Sequence, residues 1–316
     1  PLELFENAPP GLLQEDNIFS LRWVALTFLS ATAIICLPRQ FQVTVVENVD
    51  ERHLATASWM FPLYLMLISL FVLPIAAVGL SQLPAGSNPD MFVLTLPLAA
   101  NQDGLALLAI LGGFSSATSM VIVACIALST MVSNHIVLPI ALHLTASKHR
   151  TSGDLKELLL TSRRLSILLI LLLGYLYFRL SDTSNALASI GLIAFAGVAQ
   201  LLPSLIGGIF WRTATRAGAM YGLLAGFIVW AYTLFLPSFE GGFLLSAEMI
   251  EHGPWGIEVL RPSALFGLTD VDPLIHALFW SMTVNILLLV GISVVTEPGP
   301  MERLQGTLFV DVFRTS

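Results

Sequence analysis

The run Gly112-Gly113-Phe114-Ser115-Ser116-Ala117-Thr118-Ser119 sets four hydroxyls and two glycines into little more than two helical turns of an apolar stretch. At helical spacing Gly112 and Ser116 share one face, as do Ser115 and Ser119. Gly112 has no side chain to cover its carbonyl, and serine oxygens can point at a cation. Hard cations take oxygen ligands, and a set of this kind suits Na⁺. The same residues also fit a second use. Small residues four apart let membrane helices approach closely, and serine can bond back to its own helix. From these residues alone, both readings stand.

Three further positions are chemically informative because they are polar, or break helices, within apolar surroundings. Pro38 removes a backbone donor, so Leu37-Pro38-Arg39-Gln40 is either the unwound point of a broken helix or simply a helix end. Gln200, followed by Pro203, falls near the middle of an apolar run. An unpaired amide is costly there, so Gln200 either lines a pathway or hydrogen-bonds a neighbouring helix. Asn285 reads as a helix contact. Pro38, Ser119 and Gln200 are the candidates for a substrate pathway.

The remaining reactive side chains point to no catalysis. His135 and His143 are eight apart, too far for a compact metal site, and His276 has no ligand beside it in sequence. Cys36 and Cys125 sit in apolar runs and read as small packing residues. No HExxH, GxxxxGK[ST] or GxSxG pattern occurs.

The elements that must position these residues follow from composition. The chain has 316 residues, 56% of them hydrophobic and 11% charged, with a mean hydropathy of +0.83. A soluble domain carries about 25% charged residues, so a water-soluble globule is excluded. Disordered chains, coiled coils and nucleic-acid binders need charge that is absent. Long unbroken apolar runs, rather than short alternating ones, make the spans helical. With about 20 apolar residues needed per crossing, seven spans are expected: Trp23–Pro38, Ser58–Leu80, Leu105–Leu144, Leu165–Leu180, Ile190–Trp211, Ala219–Pro237 and Leu274–Val295. The third is about twice the needed length, and after Pro38 the first resumes weakly over Phe41–Val46.

Charge orders the connections. Arg39, Arg52, Lys148, Arg150, Lys156, Arg163, Arg164, Arg212, Arg216, Arg303 and Arg314 fall on one side, and only Arg22, Arg179 and Arg261 on the other, accounting for all 14 basic residues. By the positive-inside rule the C-terminus is expected in the cytoplasm and Pro1 outside. The outer connections are acidic, with Glu248, Glu258, Asp270 and Asp272 among their charges. The net charge of −7 is therefore mostly the sum of an acidic outer face and a basic inner one. Residues 1–22 read as an extracytoplasmic loop, since Pro1–Ser20 is acidic, turn-rich and without a signal-peptide pattern. The chain is expected to be part of a longer protein. Residues 23–296 read as the transmembrane domain and 297–316 as the start of a cytoplasmic tail. Within the former, 238–272 forms an outer loop or cap of short interfacial helices, with Trp255 at headgroup level.

Several stretches together resemble a known family. Gly112-Gly113-Phe114-Ser115-Ser116, followed by Ala127-Leu128-Ser129-Thr130, is similar to the sodium-site helix of sodium:solute symporters. Gly207-Gly208-Ile209-Phe210-Trp211-Arg212, Arg216-Ala217-Gly218-Ala219 and Gly222-Leu223-Leu224-Ala225-Gly226 resemble that family's signature near its last core helix. The stretch from Leu37-Pro38-Arg39-Gln40 to Glu47-Asn48, with Phe61-Pro62-Leu63-Tyr64 and Ala199-Gln200-Leu201-Leu202-Pro203, resembles a subgroup fused to cytoplasmic sensor histidine kinases.

The resemblance implies an all-α membrane protein: the second half of an inverted-repeat fold of the leucine-transporter type, with two trailing helices, in a bacterial inner membrane. It implies Na⁺ as coupling ion, half of whose site would be the Gly112 carbonyl, Ser115 and Ser116. It implies transport of a small organic solute, amino acids being one class, and signalling modules beyond Ser316. A purely sensory module without significant transport is the alternative, and kinase activity would then belong to the full-length protein. In one respect the chain departs from the family. Where these symporters often carry an acidic residue near the inner end of the sodium-site helix, this chain reads Asn134-His135.

Overall fold

The computed structural model describes residues 19–84, 86–145, 152–180, 187–239, 246–269 and 271–310. Most of the expected N-terminal loop lies outside the described residues. So do Lys148, His149 and Arg150 between the third and fourth spans, residues 240–245 and Asp270 of the expected cap, and the end of the tail with Arg314.

In chain order the helices are α1 (Leu21–Cys36), α2 (Pro38–Val46), α3 (Arg52–Ser69), α4 (Val72–Gln82), α5 (Phe92–Ala99), α6 (Asp103–Val132), α7 (Leu138–Thr145), α8 (Ser152–Leu180), α9 (Leu187–Ala199), α10 (Leu202–Phe210), α11 (Arg216–Trp230), α12 (Ala247–His252), α13 (Pro273–Val295) and α14 (Pro300–Val310). Among the described residues, six helices or helix pairs are long and apolar enough to cross a membrane, and α1 with α2 makes a seventh, bent by 49°. The chain is an all-α, multi-pass integral membrane protein. The physical reason is that hydrocarbon offers no partner to a backbone amide, so each crossing satisfies its own.

The breaks have local causes. At Leu37 the backbone turns extended (φ −67°, ψ 126°), because Pro38 disfavours the helical conformation in the residue before it. A second short helix, α2, begins at once at Pro38. The over-long third span runs from Asp103 to His143 and contains a π turn at Ser133–Val137. Two further π turns are Gln42–Val46, which ends α2, and Ala231–Phe235, which follows α11.

The chain divides into two compact units, one holding residues 41–174 and the other 19–40 and 175–310 of the described part. In the first, α4 and α5 meet where Gly79 lies against the Phe92 ring. A Cβ on Gly79 would stand 2.6 Å from ring carbons of Phe92, so glycine is what lets that ring be buried. The end of α6 is tied to α8 by Ser133 and Ser162, whose hydroxyls are 3.1 Å apart.

The second unit has the larger core. Ala25 and Leu29 of α1 pack with Ala196 and Ala199 of α9 and with Leu274 and Leu278 of α13. The ends of its helices are capped by side chains that accept from free backbone amides. Ser20 caps α1, Thr215 caps α11, Ser246 caps α12 and Asp272 caps α13. In the 238–272 segment the described residues form α12 and three 3₁₀ turns. Trp255 there is 91% exposed.

Candidate functional site

The second unit's interior is built on a glycine stripe. Gly218, Gly222 and Gly226 recur every four residues along one face of α11, against α13. A Cβ at Gly222 would stand 2.7 Å from the Asn285 carbonyl oxygen, and one at Gly218 2.7 Å from that of Leu289. A Cβ at Gly226 would meet the Gln200 amide oxygen and stand 2.9 Å from the Asn285 amide nitrogen. Only hydrogen fits at these positions, and backbone approach is the result.

That approach closes a buried polar network. Gln200, at 0% exposure, donates from Nε2 to Ser281 Oγ at 2.8 Å. Asn285 donates from Nδ2 to the Gln200 backbone carbonyl at 2.8 Å and to Gln200 Oε1 at 3.2 Å. Of the two roles open to Gln200, the structure shows the hydrogen bond to a neighbouring helix. Asn285 Oδ1 is left without a hydrogen-bond partner. About two helical turns along α13 from Asn285, Ser293 forms a second cluster with Thr215 and Thr296, whose hydroxyl is 2.9 Å from that of Thr215.

In the first unit the hydroxyl face of α6 has a different setting. Residues 111–120 are all exposed. Nothing lies within 4 Å of a Cβ position at Gly112 or Gly113, and the Thr118 hydroxyl returns to its own helix, donating to the Phe114 carbonyl at 2.7 Å. Gly112, Ser115, Ser116 and Ser119 are thus brought together on one helix and not onto a second one. Among the described residues no three His, Cys, Asp or Glu side chains converge as a metal site.

Composition did not single out one further feature. Arg22 of α1 and Asp272 at the start of α13 form an ion pair of 3.3 Å and both line a cavity of about 440 Å³. Ser189, Thr233 and Ser263 add hydroxyls to its lining, and Leu192, Ile193 and Leu234 add apolar wall. The Asp272-Pro273 dipeptide did carry a signal, since an acidic cap before a proline marks a helix start. Nothing in the sequence paired it with Arg22.

Comparison with known proteins bears on what these residues serve. No family model matches the chain, and no solved structure matches it. Over 234 residues, 70% of its length, the chain is 27% identical to a protein of Bacillus subtilis (strain 168) described as the uncharacterized symporter YodF. The match covers 42% of that protein, so the chain spans less than half the length of this relative.

Proposed function

We propose that this chain is part of the membrane domain of a sodium-coupled symporter for a small organic solute, with amino acids the first class to test. The observation that carries the reading is the hydroxyl face of α6. Ser115, Ser116 and Ser119 lie within a membrane span, and among the described residues no hydrogen bond answers their hydroxyls. Hydrocarbon would not answer them either. A Na⁺ ion held by the Gly112 carbonyl, Ser115 and Ser116, with the remaining ligands from sequence outside this chain, resolves that mismatch. The similarity to a protein described as a symporter supports the same class, and so does the resemblance of the Gly112–Ser116 run to the sodium-site helix of sodium:solute symporters.

In this scheme the chain supplies the second half of an inverted repeat, and the solute site alternates between the two faces as the halves rock. Sodium biases that equilibrium by binding one state better than the other. On this reading Pro38, at the helix break, and Ser119, on the hydroxyl-bearing helix, serve the solute pathway. Gln200 contributes by holding the wall of helices that the pathway runs along. The basic connections face the cytoplasm of a bacterial inner membrane.

A sensory role is the second reading, and it rests on the resemblance of Leu37–Asn48 to the kinase-linked subgroup. There the same solute-linked equilibrium is read by modules after Ser316.

The test uses the full-length gene product in proteoliposomes, with uptake of labelled amino acids driven by an inward sodium gradient. Uptake is expected to depend on sodium and to fall at least tenfold in Ser115→Ala/Ser116→Ala, a loss of about 1.4 kcal/mol or more of sodium binding. Sodium dependence that survives in the double variant sinks the ion assignment. Translation of the gene past Ser316 decides the sensory reading: a stop codon soon after that residue ends it.

A further inference from the structure

The cavity of about 440 Å³ that Arg22 and Asp272 line lies wholly within the second compact unit. Its walls come from α1, α9, the turns after α11, the 246–268 segment and the start of α13. Hydrogen bonds hold these walls together. Trp230 Nε1 donates to the Ile193 carbonyl at 3.0 Å, joining α11 to α9. The segment that brings Ser263 to the cavity is tied at two points: the Tyr232 hydroxyl donates to the Leu260 carbonyl, and the Leu265 N–H donates to His276 Nε2 at 2.9 Å. The cavity is therefore formed before anything enters it, as small-molecule sites usually are.

Its polar groups are a balanced pair of charges and four hydroxyls. Arg22 and Asp272 meet through one contact, Nη1 to Oδ2 at 3.3 Å, with side chains 65% and 27% exposed. A guanidinium carries five N–H donors in all, so Arg22 has donors to spare. Asp272 is held in place by its second oxygen, since Oδ1 accepts from the Leu274 N–H at 2.9 Å. Among the described residues these are the only charged side chains of the lining, and their sum is zero. The Ser189 and Ser263 hydroxyls have no hydrogen bond. Thr233 and Ser238 donate to the Val229 and Phe235 carbonyls, both at 2.7 Å, and keep oxygens free to accept. Leu192, Ile193, Leu234 and Ile250 supply apolar wall.

We infer that this cavity binds a small zwitterion of the neutral amino-acid type, its carboxylate at Arg22, its ammonium at Asp272 and its side chain on the apolar wall. A zwitterion entering the single-contact pair answers both charges and keeps the total at zero. A simple anion would bring its charge against Asp272, and a simple cation would bring its own against Arg22. An uncharged polyol would find the hydroxyls but would gain nothing from the pair and would wet the apolar wall. The inference shares the solute class of the proposed function, and it uses neither the sodium ligands nor Pro38 or Ser119.

The full-length gene product in lipid nanodiscs, in potassium buffer without sodium, is titrated calorimetrically with alanine, leucine, methionine, proline and glutamine. Binding of at least one of them is expected. Its analogues lacking the carboxylate or the amino group should bind at least about tenfold more weakly, because each gives up a hydrogen-bonded charge. Arg22→Gln should weaken the amino acid by a similar factor. So should Asp272→Asn, which removes the charge but keeps the cap of α13, asparagine being as good a cap as aspartate. Ser263→Phe, which fills the cavity without altering the pair, should abolish binding. No binding by any of the five, equal binding of an analogue with one charge, or affinity unchanged in Arg22→Gln and Asp272→Asn overturns the site. Sodium-free binding of the expected pattern without any sodium-driven uptake upholds the site while the transport reading fails.

Discussion

Helices α6 and α11 both carry small residues four apart, yet they meet different surroundings. On α11, Gly218, Gly222 and Gly226 each face α13 so closely that a single added carbon would strike Leu289, Asn285 or Gln200. On α6, Gly112 faces open space, and Ser115, Ser116 and Ser119 are exposed. The difference lies in what stands opposite. The α11 glycines pack against α13 where Asn285 and Ser293, eight residues apart, bring polar atoms, and the close approach lets the Asn285 amide reach Gln200. The α6 residues bring hydroxyls of their own, and among the described residues none from another helix meets Ser115, Ser116 or Ser119. Small residues at four-residue spacing therefore carry two separate messages: bare glycine marks contact with a neighbouring helix, whereas glycine beside serine marks groups waiting for a partner.

The largest effect that would break this contrast is steric. Gly222→Val places a branched side chain where even a Cβ would stand 2.7 Å from the Asn285 carbonyl oxygen. Overpacking of this kind costs about 3 kcal/mol, and more if α11 separates from α13. Gly113→Val on α6, with open space around it, is expected to change stability by less than about 0.5 kcal/mol. Thermal unfolding midpoints in detergent micelles give both values. Equal losses at the two sites would erase the distinction between the stripes.

Next in size is the polar network that the glycines allow. Removing the Asn285 amide leaves the Gln200 carbonyl and side-chain oxygens without their donor. In a cycle of Gln200→Leu, Asn285→Leu and the double variant, a coupling of about 1 kcal/mol is expected, within the range measured for hydrogen bonds between membrane helices. A coupling near zero would reduce the network to a by-product of packing. Smaller again is the Arg22–Asp272 pair at the edge of the same unit. Asp272→Ala should cost about 1 kcal/mol, because it also removes the cap of α13. Arg22→Gln should cost less than about 0.5 kcal/mol, because the exposed pair is screened. Repeating both at 1 M salt should shrink the second loss and leave the first.

How legible these features were depends on whether a cause acts locally. The six or seven crossings could be read because the bilayer demands a fixed length of apolar residues, and each expected span lies on one helix or on consecutive helices of the structure. The break at Pro38 was half legible: proline announces an interruption, but whether a helix resumes depends on Pro38–Val46 finding helical geometry again. The π turns at Ser133–Val137 and Ala231–Phe235 left no mark in composition, since slipping a hydrogen bond from i−4 to i−5 needs no particular residue. Gln200 could be recognised as an amide in need of a partner. That the partners would be Asn285 and Ser281, 85 and 81 positions away, depends on tertiary packing. Gly218, Gly222 and Gly226 read as part of a family signature, and only the approach of α13 gave them a physical reason.

The smallest expected effect sharpens the comparison most. Without sodium, Ser115→Ala/Ser116→Ala should change the stability of the full-length protein by less than about 0.5 kcal/mol, because removing an exposed hydroxyl opens no cavity and strands no donor. With sodium the two proteins should diverge. An ion that binds only the folded state stabilises it by RT ln(1 + [Na⁺]/Kd), about 2.7 kcal/mol at a hundred times Kd. The wild type should therefore unfold at rising temperature as sodium replaces potassium at constant ionic strength, while the double variant should not respond. If these serines instead served helix packing, the loss would appear equally in sodium and in potassium. The unfolding midpoint in the two salts thus separates a stripe that holds an ion from one that holds a helix.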